Sequence, residues 1–312
     1  DWSSDVCSSD LPAPPRLPPN ATIRMRRAEL WVPYRLVAPA VAMELAFVLA
    51  PLAIGFWYSL HNVRFFQIRA FVGWDNYVRV LTSPEVLSSL AATGIFAFFS
   101  LFLTFALGFA LALWLERDGR AATLMRAVVL VPYMIAMLVG SMLLKWLFSQ
   151  EAGLAQLALG PLGLGDVSIL ANPGSAMAAL VFNAMWRDAA FAMIMLLAGL
   201  KSIPPGLHLA ARVDGADSWM RFRRITLPLL RIPILITLVR LLIHFVNILT
   251  FPLILTGGGP GNATEVVVLK MFRLGFMDHV LGPANALAVL VFLANLALVA
   301  MLLMLFRRAG RL

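Results

Sequence analysis

Four residues with polar or aromatic side chains recur along one apolar stretch of the sequence. Arg240, His244, Asn247 and Phe251 stand four, three and four positions apart, and this spacing places them on one face of a helix. The arginine, imidazole and amide can hydrogen-bond the hydroxyl groups of a polar solute, and the phenyl ring offers a stacking surface. We expect this face to line a path for such a solute.

Trp186 and Arg187, in another apolar segment, are expected to line the same path. An arginine in the middle of a membrane costs about 2.5–3.5 kcal/mol on insertion scales, so it should face a cavity or a partner. A second interpretation remains open, in which Arg240 lies near a membrane surface and extends to it. In that interpretation His244 only bonds a neighbouring helix.

Several other chemistries lack their residues. The four histidines are too far apart for a His-Glu-x-x-His zinc site, and no nucleophile elbow is present. A phosphate-binding P-loop needs Gly-Lys-Ser/Thr, but Lys145, Lys201 and Lys270 all follow leucine. We therefore expect no catalytic residue, no metal site and no cofactor in this chain.

The composition indicates a membrane protein. Hydrophobic residues make up 61% of the 312, and charged residues only 13%, about half the roughly 25% of a soluble domain. The mean hydropathy is +0.86. The net charge of +9 lies in the gaps between apolar runs, where it sets membrane orientation. We therefore expect the partner of these charges to be the lipid bilayer and not nucleic acid.

Six segments are long and apolar enough to cross a bilayer, which takes about 20 residues. Because every backbone group in lipid must be bonded within its segment, all six are predicted to be helices. The fold class is thus an all-α integral membrane protein with six transmembrane helices. The predicted spans are Leu36–Leu60, Leu90–Leu115, Ala127–Phe148, Ser175–Leu200, Ile232–Leu255 and Ala284–Phe306.

The lysines and arginines outside the spans are divided unevenly between the two sides. The tails and the loops after the second and fourth spans hold 17, and the other three loops hold five. The positive-inside rule therefore predicts that both termini are cytoplasmic. An even number of spans agrees with this result, because it places both termini on the same side of the membrane.

The beginning of the chain is set apart from this fold. Residues 1–11 read like one frame of a sequencing adapter, and they contain the only cysteine, Cys7. The following residues are proline-rich and are expected to form an extended tail. We therefore predict that residues 1–29 are an adapter-derived start and a disordered tail, and that residues 30–312 form the transmembrane domain.

The cytoplasmic loop at residues 201–231 has a helical pattern of its own. Pro204–Gly206 stops one helix, the run Leu207–Val213 can begin another, and Gly215 permits a sharp turn between two short amphipathic helices. Two interpretations compete on composition alone. The loop is either a lipid-surface anchor, since arginine with tryptophan and phenylalanine suits an interface, or a docking site for a soluble partner.

The spacing of this loop resembles that of the permease subunits of ABC importers. Their pattern is Glu-Ala-Ala, three residues, Gly, nine residues and Ile-x-Leu-Pro, and Ala210, Ala211, Gly215, Ile225 and Leu227-Pro228 fit it, while Leu209 replaces the glutamate. In that family the glutamate faces a basic residue of the ATPase, so its loss affects this contact. The resemblance implies that the loop docks an ATPase subunit. The implied coupling residues are Leu209, Ala210, Ala211, Asp214, Gly215, Ala216 and Phe222.

Two further motifs are similar to the same family. Phe71–Tyr77 resembles its Phe-x-Gly-Leu-x-Asn-Tyr, and Leu255-Thr256 followed by Gly257, Gly258, Gly259 and Pro260 resembles its Leu-Thr-x-Gly-Gly-Pro. The resemblance implies that this glycine loop faces an extracytoplasmic solute-binding protein. It also implies a second permease subunit, two ABC ATPase subunits that bind ATP and Mg²⁺, and a place in the bacterial inner membrane.

The branch of the family suggests the solute. The Asp-Gly-Ala centre of the loop, with Trp219 and Phe222, resembles the sugar permeases, among them the maltose and glycerol-3-phosphate permeases. The resemblance therefore implies import of a sugar or sugar derivative, with a polyol or glycerol-phosphate as the alternative. An ion-coupled secondary transporter would not need the loop, and an ABC exporter usually carries its ATPase in the same chain.

Overall fold

The computed structural model describes residues 19–149 and 168–309. The predicted adapter residues 1–11 lie outside these ranges. The chain divides into two units, one ending at Ile54 and one starting at Gly55. Helix α1 (Pro19–Ser59) begins within the segment expected to be an extended tail. Alanine, arginine, methionine and glutamate in that segment are good helix formers, which accounts for the earlier start.

A small hairpin follows the first span, where the sequence indicated only a loop. Strands β1 (His61–Arg64) and β2 (Gln67–Phe71) pair antiparallel, and helix α2 (Asp75–Thr82) comes next. Asn76, fully inside the fold, donates to the carbonyls of Ser59 and His61 at 2.8 and 3.0 Å. Asn76 of the sequence motif therefore fixes the backbone where the span meets the hairpin.

Two long helices pack closely at the centre of the second unit. Helix α3 (Pro84–Trp114) contacts helix α6 (Pro173–Lys201). A side chain at Gly108 of α3 would lie 2.4 Å from the Cβ atom of Ala192. Small residues thus let the two backbones approach, as is common between membrane helices. Phe96 and Leu180 are buried in the apolar core beside them.

The third predicted span, Ala127–Phe148, is not one straight helix. Helices α4 (Arg120–Met134) and α5 (Met137–Leu147) meet at an angle of 92°. Pro132 lies inside α4 and has no N–H to offer the preceding turn. The backbone becomes extended at Ile135, where ψ is 136°. The prediction of a continuous helix here was wrong, because the chain turns at the extended residues Ile135 and Ala136.

The loop predicted to hold two short helices does so. Helix α7 (Pro205–Val213) and helix α8 (Ser218–Arg221) follow α6, and a π-helical turn (Phe222–Thr226) and the short helix α9 (Leu227–Leu229) lead back to the next span.

The fifth span also differs from a single helix. Helix α10 (Arg231–Asn247) ends where Ile248 is extended, with ψ of 123°, and a π-helical turn (Pro252–Thr256) completes the span. Pro252 cannot donate to the carbonyl of Ile248, so a regular helix is interrupted there.

The last elements are helix α11 (Val267–Phe272), a π-helical turn (Arg273–Met277) and helix α12 (Leu281–Ala309). Within the described residues, five helices are long and apolar enough to span a membrane, and the bent pair α4–α5 makes a sixth candidate. The predicted all-helical membrane fold is therefore confirmed, with the hairpin as an addition.

Candidate functional site

A buried aspartate gathers the charged residues of the predicted path. Asp188 on α6 has no exposed surface. Arg187 donates to its Oδ1 atom at 3.2 Å, Arg240 Nη1 lies 3.7 Å from the same oxygen, and His244 Nε2 lies 3.3 Å from Oδ2. Only the Arg187 contact has hydrogen-bond geometry, because Asp188 Oδ2, Arg240 Nη1 and His244 Nε2 have no hydrogen-bond partner. Arg240 thus acts on the carboxylate through its charge, and the His244 ring nitrogen lies close to it without a hydrogen bond.

Aromatic rings hold the two arginines on either side of this carboxylate. The Arg187 guanidinium lies 5.0 Å from the ring centre of Tyr133, and that of Arg240 lies 4.1 Å from the ring centre of Phe191. A cation above a ring face is attracted by the ring quadrupole. The arginines are therefore fixed from two directions, by the carboxylate and by an aromatic face.

The six predicted path residues do not all meet. Arg187, Arg240 and His244 come together at Asp188, and the buried Phe251 lies edge-on to the His244 ring at 6.3 Å between ring centres. Asn247 instead pairs with Asn295 of α12, with N–O distances of 3.2 and 3.1 Å. The helix ends at Asn247, so the predicted single helical face does not extend to Phe251.

Trp186 is half-buried and packs against the apolar core, and a side chain at Gly140 would touch it at 3.6 Å. Arg240 and His244 border an open cavity of about 570 Å³, which is otherwise lined by apolar residues of α10 and by Leu303. Through this cavity Arg240 and His244 of the charged cluster reach the surface of this chain.

The loop between α6 and α10 presents an exposed apolar surface. Val213 is 88% exposed, and Leu209 and Trp219 are also well exposed. Gly215 has φ of +80°, and a Cβ atom there would meet nothing within 4 Å. The glycine is therefore needed for its left-handed backbone and not because a side chain would collide.

Aromatic contacts attach this loop to the long helix α3, and a side-chain cap begins its second helix. Phe222 stacks on Trp219 at 5.7 Å and contacts Phe109 of α3 at 6.1 Å between ring centres. The Asp217 side chain accepts a hydrogen bond from the N–H of Met220 at 2.8 Å and so begins α8. Ala210, Asp214 and Gly215 are exposed, and Ala211 and Ala216 are partly covered.

A surface ion pair lies where α6 enters the loop. Lys201 donates to Asp118 Oδ1 at 2.5 Å. This hydrogen bond and the lysine charge lower the pKa of Asp118 below its ordinary value. The pair is therefore retained to a more acid pH than an isolated aspartate would allow, and it is lost as the pH falls through the lowered pKa.

The glycine loop is less exposed than its composition suggests. Gly258 is buried, and Gly257, Gly259 and Pro260 are half-buried, whereas Gly261 and Asn262 are exposed. The Thr264 hydroxyl donates to the carbonyl of Gly259 at 2.6 Å.

The guanidinium of Arg273 donates to Glu265 Oε1 at 2.5 Å and to the carbonyl of Gly257. Asp188, Glu265 and Arg273 were not predicted as site residues. A charge inside or beside an apolar span was the available signal.

A family model described as "Binding-protein-dependent transport system inner membrane component" matches residues 104–311. The trehalose/maltose transport system permease protein MalF of Thermococcus litoralis is 33% identical over 291 residues, covering 93% of this chain and 99% of the relative. The sn-glycerol-3-phosphate transport system permease protein UgpA of Yersinia pseudotuberculosis is 32% identical, covering 86% and 92%.

The fold is similar to that of a chain in a solved bacterial ABC transporter involved in the import of the acidic polysaccharide alginate. The TM-score is 0.80 at 24% identity, over 92% of this chain and 99% of that chain. A second structure, of the bacterial alginate ABC transporter in complex with an alginate pentasaccharide-bound periplasmic protein, gives a TM-score of 0.78.

Proposed function

The chain belongs to the family of binding-protein-dependent transport system inner membrane components, and from this premise we propose that it translocates a sugar or sugar derivative as a permease subunit of an ATP-driven ABC importer. In this arrangement a second permease completes the membrane pore, two ATPase subunits bind ATP and Mg²⁺, and an extracytoplasmic binding protein delivers the solute. A permease of this kind hydrolyses no ATP itself.

The exposed helix pair α7–α8 is the observation that carries this proposal. It lies inside the matched region, offers an apolar surface at Leu209 and Val213, and is joined to α3 through Phe222 and Phe109. Because the pair follows α6 in the chain and contacts α3, it can transmit the movement of a docked ATPase to both of these spans. The ABC importer permeases that this loop resembles carry a glutamate at the position of Leu209. With a leucine there, the docking depends on apolar contact and shape.

The solute path runs past the cluster around Asp188. Arg240 and His244 border the open cavity, and Asp188 holds their side chains in place. A sugar hydroxyl in the cavity can hydrogen-bond the Arg240 guanidinium or the His244 ring, while the fully buried Asp188 orients these two side chains. Asn247, exposed on α10 and paired with Asn295, lies outside this cluster, and its predicted place on the path stays a prediction.

The substrate class rests on the relatives. One is named for trehalose and maltose transport, and another for sn-glycerol-3-phosphate transport. A sugar is the first candidate because the trehalose/maltose relative is 33% identical over nearly its whole length. The glycerol-phosphate relatives make a small phosphorylated polyol the second candidate.

The orientation proposed is the one with both termini in the cytoplasm of a bacterial cell. It brings loop 201–231 to the side of the ATPases and the glycine loop 257–264 to the side of the binding protein. The uneven distribution of arginines and lysines supports it.

Co-expression and reconstitution test the proposal. The tagged chain, expressed with its second permease and ATPases, should purify as one complex and should accumulate maltose or trehalose in proteoliposomes only with ATP inside and loaded binding protein outside. Uptake driven by an ion gradient without ATP, or purification of the chain alone from cells that make all the subunits, would contradict it.

A further inference from the structure

The glycine loop has an unusual backbone that needs external support. Gly257, Gly258, Gly261 and Asn262 all have left-handed φ angles, between 54° and 85°. Short hydrogen-bonded turns link its residues, such as Thr264 N–H to the carbonyl of Gly258 at 3.2 Å. Glycine-rich backbone loses much conformational entropy on ordering. A single shape of this loop therefore requires contacts from outside it.

Arg273 supplies two of these contacts from the turn after α11. Its Nη1 atom donates to Glu265 Oε1 at the end of the loop, and its Nη2 atom donates to the carbonyl of Gly257 at the start. One planar guanidinium thus bridges both ends of the loop, which a lysine cannot do with the same fixed geometry. A side chain at Gly258 would lie 3.2 Å from Arg273 Nη2, so the glycine leaves room for the bridge.

The far side of the bridge is anchored in the core. Glu265 is 1% exposed. Two residues further on, the N–H of Val267 donates to Thr93 Oγ1 of α3 at 2.8 Å. Through Glu265 and Val267 the bridge is therefore tied to a long membrane helix.

Stability alone is a poor explanation for this ion pair. Glu265 Oε2 is buried without a hydrogen-bond partner, and a buried pair with an unsatisfied atom often contributes no more than apolar residues of the same size. The geometric effect of the bridge, the fixed distance between Gly257 and Glu265, is what an apolar replacement cannot supply.

We propose that Arg273 and Glu265 are positioning residues that hold loop 257–264 in one preformed shape for the extracytoplasmic binding protein. This inference rests on the proposed function, in which that loop faces the binding protein. A preformed loop spares the binding protein the entropy of ordering it on contact. Loss of the bridge should then weaken this docking and leave the ATPase cycle itself intact.

The test uses the full complex in nanodiscs, titrated with solute-loaded binding protein while ATP hydrolysis is measured. Arg273→Gln should raise the half-saturating concentration of binding protein about tenfold or more, the effect of losing a charge-assisted hydrogen bond. The maximal and basal rates should stay within about twofold of the wild type. Arg273→Lys should fall between the two, because a lysine keeps the charge and loses the second contact. Arg69→Gln, at an exposed arginine of β2, is the matched control.

A double variant, Arg273→Gln with Glu265→Gln, guards against misfolding because it leaves no unpaired charge on the buried Glu265 side of the pair. The inference is overturned if this variant needs no more binding protein than the wild type. It is also overturned if the half-saturating concentration is unchanged and all rates fall together with the thermal midpoint, as for a purely structural pair. A wild-type complex that assembles but shows no stimulation by any binding protein would instead refute the proposed function, and the inference with it.

Discussion

The charge of Asp188 should be required for the stability of the fold as well as for transport. Asp188→Asn keeps the size of the side chain and removes its charge. At an effective dielectric constant of about 20, an ion pair at 3.2 Å is worth about 5 kcal/mol and one at 3.7 Å about 4.5 kcal/mol. Part of this attraction offsets the cost of burying the carboxylate, so we expect a net destabilisation of about 3–5 kcal/mol, as for other broken buried pairs.

The assay is the thermal unfolding midpoint of the purified complex, followed by solute uptake in proteoliposomes. Asp188→Asn should lower both. Asp118→Asn is the matched control, because Asp118 is also paired with basic side chains but is 86% exposed, and exposed pairs contribute little. We expect its midpoint to stay near that of the wild type.

A double variant decides whether the effect is electrostatic. In Asp188→Asn with Arg240→Gln, one of the two arginines left without a counter-charge is removed. The double variant should therefore be no less stable than Asp188→Asn alone. Destabilisations that simply add, or an Asp188→Asn variant as stable as the wild type, would refute the reasoning.

Three further substitutions have matched controls or defined contacts. Gly215→Ala should reduce uptake and lower the free energy of unfolding by about 1–2 kcal/mol, because the backbone at Gly215 is left-handed. Gly206→Ala, where the space is equally open, should be harmless. Equal uptake in both variants would argue against the strain. Gly108→Ala should lower the thermal midpoint by an amount equivalent to about 1–3 kcal/mol, because the new methyl group collides with Ala192 of α6. Gly94→Ala, on the same helix, should leave the midpoint unchanged. A Gly108→Ala complex with the wild-type midpoint would contradict the close packing. Asn76→Ala should lower the free energy of unfolding by about 1–3 kcal/mol, because two backbone carbonyls lose the Asn76 hydrogen bonds. It should also raise proteolysis of the hairpin. An unchanged cleavage pattern would count against this role.

The membrane fold could be predicted from the sequence because hydrophobic length and charge distribution act over whole segments. The positions of α3, α6 and α12 follow from long apolar runs, which only in α6 contain a charged pair, Arg187-Asp188, near the middle. The bend between α4 and α5 and the break at Ile248 could not be located in this way. Both lie near a proline, Pro132 and Pro252, but a proline in a membrane helix is compatible with a kink, a break or a continuous helix.

The candidate site could be predicted only in part. Helical spacing correctly indicated that Arg240 and His244 share a face, but it carried the face past the end of α10 to Phe251. The pairing with Asp188 depends on how α6 and α10 pack, which spacing along one helix does not reveal. Likewise, the bridge from Arg273 to Gly257 joins residues 16 positions apart through a loop whose shape comes from four left-handed residues.

The most direct test of the importer assignment is cross-linking from the exposed surface of α7 in intact cells. A photoreactive residue in place of Val213, which is 88% exposed, should form an adduct with an ATPase subunit. The same residue in place of the exposed Phe276, on the proposed opposite side of the membrane, should form none with the ATPase. Adducts of Val213 with lipid alone, or an ATPase adduct at Phe276, would contradict the proposed docking surface and orientation.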